Sequence, residues 1–282
     1  MSESLLWNDL ARKLADEISS VPAVAGLTIL DFRTGRTLSL GGHEVFPTAS
    51  TIKIHILAQL LRKAEAGELD LSRRLLIERA MCVPGSGVLS YLEDQENPTI
   101  RNLATLMIVV SDNTATNLCI DLATMNGTNE LLGTLGFEKT RLRRKMQDHR
   151  AVASGNENTA SPDEIVRFLE ILHRAERLSP YVCGETLKVL KKPKRGFLMH
   201  GLPVDVEMAN KPGAMDRVRC DAGIIYLKRR PYAICVMTKY GLGHPTVQEA
   251  FIGSIARISH EHLSALDATS GHGQGVPREF LD

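Results

Sequence analysis

Leu5 to Ile18 alternates apolar and charged residues at the spacing of one helix face, so the chain opens with an amphipathic helix. Val21-Pro22 ends that pattern. The run Ala25-Gly26-Leu27-Thr28-Ile29-Leu30-Asp31-Phe32 reads as a strand. Arg33-Thr34-Gly35-Arg36 reads as a turn whose glycine takes a positive φ, and Thr37-Leu38-Ser39-Leu40 closes a hairpin. From Ala49 to about Leu190 the apolar period is helical. It breaks at Val83-Pro84-Gly85-Ser86-Gly87, at Asn97-Pro98 and over residues 155–162. Strand patterns return at Val206–Ala209, Ala222–Leu227 and Ala233–Thr238, and a last helix is predicted over about Thr246–Leu263.

Strands near both termini with helices between them predict an α/β (α+β) fold. One antiparallel sheet is formed by both termini and flanked by helices, with an all-helical lobe inserted. The expected boundaries are 1–48 plus 200–266 for the sheet lobe and 49–199 for the helical lobe. Residues 267–282, with Ser270-Gly271-His272-Gly273-Gln274-Gly275, are expected to be a mobile tail. A junction between two such lobes makes a cleft, a common place for a small ligand.

Composition narrows the partners. A hydrophobic content of 43% and a charged content of 24% are those of an ordinary globular chain. The net charge of +1 gives no basis for a nucleic-acid or membrane partner. The longest apolar runs, such as Leu106–Val110, are too short to span a bilayer. Met1–Trp7 lacks the basic segment of a signal peptide. The cysteines Cys82, Cys119, Cys183, Cys220 and Cys235 form no C-x-x-C pair and are odd in number, which reads as free thiols in a reducing cytosol. The expected location is therefore cytoplasmic, although a chain whose leader has been removed would look the same. His260-Glu261-His262 does not put two ligands on one helix face, so no metal is expected, and no glycine-rich phosphate loop follows a strand. No cofactor is expected.

The chemistry gathers in three short motifs. Thr48-Ala49-Ser50-Thr51-Ile52-Lys53 opens the long helical region, and residues at i and i+3 share a face, so Lys53 reaches the Ser50 hydroxyl. Pro47 ahead of the helix puts Ser50 in its first turn, near the positive end of the helix dipole. Ser50 alone would read as a capping residue, and Lys53 alone as a surface charge. Flanked by Ile52, Ile54 and Ile56, however, Lys53 is expected to be partly buried, and a desolvated lysine gives up its proton more readily. Ser50 is thus a candidate nucleophile and Lys53 its general base. Ser111-Asp112-Asn113 ends the apolar run Leu106–Val110, where an N-cap would also suit it. Lys211-Pro212-Gly213 follows near the returning strands, and proline belongs on an edge strand.

The three motifs together resemble the S-x-x-K, S-D-N and K-T-G set of class A β-lactamases and penicillin-binding proteins. The resemblance covers roughly residues 20–263 and departs from the family at Pro212, where a threonine or serine hydroxyl is missing. It implies that Ser111 relays a proton to the leaving nitrogen, that Asn113 contacts the lysine and the substrate amide, and that Asp112 is scaffold. It also assigns Lys211 and Gly213 to substrate binding, and the Ser50 and Ala214 N–H groups to an oxyanion hole. Arg217 and Arg219 are candidates to bind a substrate carboxylate in place of the lost hydroxyl.

Thr140-Arg141-Leu142-Arg143-Arg144 resembles the start of the family's Ω-loop, and Asn158-Thr159-Ala160-Ser161-Pro162 its exit. The place of the family's water-activating glutamate is taken by Met146. Asp148 and His149 are the nearest substitutes, with Glu157 further off. Gly85-Ser86-Gly87 is expected to line the cleft. The implied activity is serine acyl transfer through an acyl-enzyme at Ser50, with β-lactam hydrolysis first. A cytosolic esterase or peptide amidase of the same fold is the alternative, and a non-hydrolytic acylated binder or sensor is a third. The expected partner is a small molecule (a β-lactam, an ester or a short peptide), with no indication of oligomeric state.

Overall fold

The computed structural model describes residues 2–93, 97–277 and 279. Its elements run in the order helix, hairpin, helices, then three strands and a last helix. They are α1 (Ser2–Ser20), β1 (Val24–Asp31), β2 (Thr37–Leu40), β3 (Phe46–Pro47) and α2 (Lys53–Glu65). Then follow α3 (Ile100–Val109), α4 (Asn113–Ala123), α5 (Met125–Thr134), α6 (His149–Ala153), β4 (Thr159–Ala160), α7 (Pro162–Arg174) and α8 (Pro180–Leu190). The chain closes with β5 (Met208–Met215), β6 (Val218–Ile225), β7 (Tyr232–Lys239) and α9 (Pro245–Asp267).

Five strands form one antiparallel sheet in the order β2-β1-β7-β6-β5, so both ends of the chain build it, as the hydropathy pattern predicts. Gly35 takes the expected positive φ, 72°, in the β1–β2 turn. Trp7, Leu10 and Leu14 recur on one face of α1 and pack with Phe251, Ile252 and Ile255 of α9 and with Leu27, Ile29, Ile234 and Val236 of the sheet. Each such side chain contributes about 1.5–3 kcal/mol by leaving water.

The chain divides into two compact units. One holds residues 1–49, 161–170 and 195–282; the other holds 50–160 and 171–194. Residues 161–170, expected with the helices, group with the sheet. There Asp163 Oδ1 accepts from Thr28 Oγ1 (2.6 Å) and Ser39 Oγ (2.8 Å), and its N–H donates to the Gly42 carbonyl (3.0 Å).

In the second unit, α2 is buried at every position from Lys53 to Leu61 and packs against α4, α5 and α8. A helix enclosed on all sides must be apolar nearly all round, and Ile54, Ile56, Leu57, Ala58, Leu60 and Leu61 supply that surface. The same enclosure carries Lys53 into the interior.

Other expectations shift. The strand placed at Val206–Ala209 forms instead over Met208–Met215, because pairing with β6 continues in register from Met208–Ile225 to Met215–Val218. The last helix extends four residues further, to Asp267. Ala268–Val276 then folds back, with Ser270 N–H to Gln274 O and Val276 N–H to Ala268 O (both 2.8 Å). The Arg229 guanidinium donates to the carbonyls of Asp267 and Thr269 at the start of this turn. The rest of the expected tail, 278 and 280–282, lies outside the described residues. Among the described residues, no helix is long and apolar enough to cross a membrane.

Candidate active site

Ser50 lies in a single 3₁₀ turn, Ala49–Ile52, and the α-helix begins only at Lys53. The expectation of Ser50 inside the first α-helical turn is corrected accordingly. Ala49 has φ 45°, a conformation costly for a residue with a Cβ, and it tightens the entry to the helix. In a 3₁₀ turn residues i and i+3 eclipse, so the Ser50–Lys53 spacing serves at least as well. The α2 N-cap position is Ile52 and carries no side-chain cap, which leaves Ser50 without a capping duty there.

Lys53 is fully buried. Its ammonium donates to the Ser111 carbonyl (2.8 Å), to Ser111 Oγ (3.1 Å) and to Asn113 Oδ1 (3.3 Å). Ser111 Oγ in turn donates to Ser50 Oγ at 2.9 Å. Ser111 is a non-glycine residue at φ 55°, and this strained link turns both its carbonyl and its hydroxyl towards Lys53. Hydroxyls can exchange donor and acceptor roles by rotating, so Lys53, Ser111 and Ser50 form a path along which a proton can pass in either direction.

Asp112 and Asn113 anchor the path. Asp112 caps α4, accepting from Ala115 N–H (2.8 Å), and its other oxygen accepts from Val88 N–H (2.7 Å) and Leu89 N–H (2.9 Å). Asn113 donates through Nδ2 to the Pro84 carbonyl (3.1 Å) and through its backbone to the Ser86 carbonyl (2.9 Å). The Val83–Gly87 loop is thereby stapled to the Ser111–Asn113 segment. Gly87, at φ 115°, lies so close to the Asp112 side chain that a Cβ would collide with it.

The segment 141–160 is closed at its base by reciprocal backbone bonds between Arg141 and Thr159 (2.9 and 3.1 Å). Inside it the Arg144 guanidinium bonds Glu157 Oε1 at 2.7 and 2.8 Å, and Asn158 Oδ1 accepts from the N–H groups of Arg143 (2.7 Å) and Arg144 (3.0 Å). Asn117 grips the backbone of Met146, accepting from its N–H (2.7 Å) and donating to its carbonyl (3.2 Å).

A model of the Beta-lactamase enzyme family matches residues 9–263. Beta-lactamase AER-1 of Aeromonas hydrophila is 30% identical over 209 residues, 73% of this chain and 69% of that protein. A beta-lactamase from Sphaerobacter thermophilus superposes with a TM-score of 0.84 at 30% identity, over 92% of this chain and 98% of that one. PBP-A superposes at 0.82 and 27% identity (91% and 96%), and an ancestral class A beta-lactamase at 0.82 and 27% (89% and 99%). The chain belongs to the beta-lactamase enzyme family.

It is a serine hydrolase of the class A β-lactamase type, and three features set it against that family's pattern. The first is Met146, which is buried and stands where the resemblance would put the family's water-activating glutamate. Of the candidate substitutes, Asp148 is exposed and caps α6 through Ala151 N–H (2.9 Å), His149 is exposed, and Glu157 is held by Arg144. The second is Pro212, on β5. That strand has β6 as its one neighbour in the sheet, so the edge position expected for proline is observed. Pairing runs through Pro212 unbroken, which requires its nitrogen to face away from β6, and strand alternation gives the Ala214 N–H the same outward direction. Lys211, buried beside it, donates to the Pro212 carbonyl (2.8 Å), and Gly213 pairs with Cys220.

The third concerns the cations. Arg219 donates to Glu249 Oε1 (2.8 Å) and to the carbonyls of Met215 (2.7 Å) and Val218 (2.9 Å), so it is already engaged within its own unit. Arg217 is exposed at the β5–β6 turn. Burial pushes the Cys119 thiol up to about 12 against the pull of the Lys53 charge and takes Cys220 to about 12, so neither is a ready nucleophile. Among the described residues no group of acidic, histidine or cysteine side chains is arranged to hold a metal.

Sequence reasoning passed over Asn117. It stands one helical turn after Asn113, a spacing that put it on the same face.

Proposed function

We propose that this protein hydrolyses β-lactams through an acyl-enzyme at Ser50. The observation that carries the reading is the Ser111 hydroxyl, which bonds both Ser50 Oγ and Lys53 Nζ. Lys53 in its neutral form takes the Ser50 proton, and Ser50 Oγ bonds to the carbonyl carbon. The C–N bond of the lactam then breaks as Ser111 passes a proton to the leaving nitrogen. Water afterwards splits the ester and frees Ser50. By resemblance to the family, Asn113, Lys211 and Gly213 bind substrate, and the N–H groups of Ser50 and Ala214 receive the oxyanion. The cysteines stand as free thiols, four of them buried, which supports a cytoplasmic location.

The reading is tested by incubation with benzylpenicillin, and separately with a fluorophosphonate, followed by peptide mass spectrometry. One adduct is expected, on the peptide carrying Ser50, and none on the Ser50→Ala variant. An adduct elsewhere, or none with either reagent, overturns it.

Met146 and Pro212 favour a second reading, an esterase or peptide amidase on the same site. A chromogenic cephalosporin and a short-chain nitrophenyl ester, each assayed on wild type and Ser50→Ala, separate the two. Acylation of Ser50 without turnover of either substrate would make the protein an acylated binder.

Pro212 should limit recognition of substrate carboxylates. Pro212→Thr restores a hydroxyl donor, and a hydrogen bond to a charged group contributes about 1.5–3 kcal/mol. An increase of roughly tenfold in kcat/KM is expected for penicillins, with little change for uncharged esters. Equal effects on both would point to backbone strain as the cause.

A further inference from the structure

A cavity of about 520 Å³ lies wholly within the sheet unit, between residues 203–207, residues 226–228 after β6 and the last turns of α9. None of the groups around Ser50 lines it. Pro203, Val206 and Leu227 give it an apolar side, while Asp205, Glu207 and Asp267 set three carboxylates against the ammonium of Lys228. Arg229, next to Lys228, turns its guanidinium to the carbonyls of Asp267 and Thr269.

Carboxylates at a protein surface are ordinary, and the informative group is His260. It lines the same cavity, is only 9% exposed, and its Nδ1 is buried with no hydrogen-bond partner among the described residues. Buried polar atoms are nearly always paired, so this ring keeps a capacity that the fold leaves unmet. Burial also holds the imidazole below its ordinary value, against the opposing pull of Glu261 and Asp205. The ring is therefore neutral at pH 7 and carries a nitrogen lone pair that can accept. A neutral imidazole beside three carboxylates makes a wall rich in acceptors, and a complementary ligand brings N–H donors and positive charge. No group of side chains among the described residues is arranged to hold a metal, and the apolar side suits a hydrocarbon body.

We infer that this cavity is a second ligand site, one that takes a small organic ammonium. Its hydrocarbon part lies against Val206 and Leu227, and its N–H groups donate to the His260 imidazole and the Asp205 carboxylate. The site goes beyond the acyl-transfer reading and stands or falls without it.

The test titrates benzylammonium chloride into the full-length ¹⁵N-labelled protein at pH 7 and follows amide shifts, with benzyl alcohol and benzoate as the uncharged and anionic controls. Saturable shifts centred on residues 203–207, 226–228 and 260–268 are expected, with a Kd on the order of 1 mM, the reach of so small a ligand. Benzyl alcohol should bind several-fold more weakly and benzoate not at all. Asp205→Asn, at an exposed position, should weaken benzylammonium by about two- to fivefold, the worth of a charge at a solvated rim. His260→Phe keeps an aromatic ring but removes the acceptor, and should weaken it by about three- to tenfold. If His260→Phe does not fold, Asp205→Asn decides alone. Shifts centred elsewhere, no saturation, equal binding of the three compounds, or an affinity untouched by the substitutions would each overturn the inference.

Discussion

Wild-type protein mixed with excess benzylpenicillin in a stopped-flow instrument is expected to release a burst of about one equivalent of opened lactam, followed by slow turnover. Acylation needs the Ser50 hydroxyl, the Lys53–Ser111 path and oxyanion donors, and the residues of that path are in hydrogen-bond contact. Deacylation needs a base beside a water, and a thioether is only a weak acceptor. Loss of a positioned base typically forfeits roughly 10²–10⁴-fold in rate. Met146→Glu should therefore accelerate the slow phase by up to that factor and leave the burst rate nearly unchanged. The structure favours this outcome because Asn117 holds residue 146 by its backbone N–H and carbonyl, whatever the side chain. Met146 is also buried, and burial raises a carboxylate pKa towards neutrality, where it serves best as a base. Rapid turnover by the wild type with no burst would mean that another group, Asp148 or His149, activates the water.

Lys53→Ala is expected to lose on the order of a hundredfold or more in acylation rate, the usual worth of a general acid–base group. The Lys53→Ala/Ser111→Ala double variant should be little worse than either single one, because residues that act as a unit give non-additive losses. The contact geometry is the reason: Lys53 Nζ and Ser50 Oγ are both bonded to the Ser111 hydroxyl, so removing either end or the middle cuts the same path. Measuring the burst rate across pH adds a readout that a merely structural role would not move, since removal of the base should abolish its ionisation from the profile. Losses that multiply independently would mean that the two residues only support the fold around Ser50.

The sequence alone was enough for the sheet built by both termini, because strand alternation and helical period are local signals that survive without tertiary context. It was enough, too, for the motif residues Ser50, Lys53, Ser111 and Asn113, since the i, i+3 spacing and the flanking isoleucines of Lys53 already implied a shared face and a buried amine. The departures at Met146 and Pro212 were likewise visible as residue identities. Only the folded chain decided the rest. Ala49 at φ 45° converts the start of the helix into a 3₁₀ turn, and Ser111 at φ 55° turns its hydroxyl between Ser50 and Lys53; neither angle has a signature in residues that are not glycine. The length of β5 was set by pairing with β6 and not by its own residues, which include a proline and a glycine. Arg219 looked free in sequence and is taken by Glu249, thirty positions away. Contacts between residues so distant in the chain are fixed by closure of the whole fold, and local sequence holds no record of them.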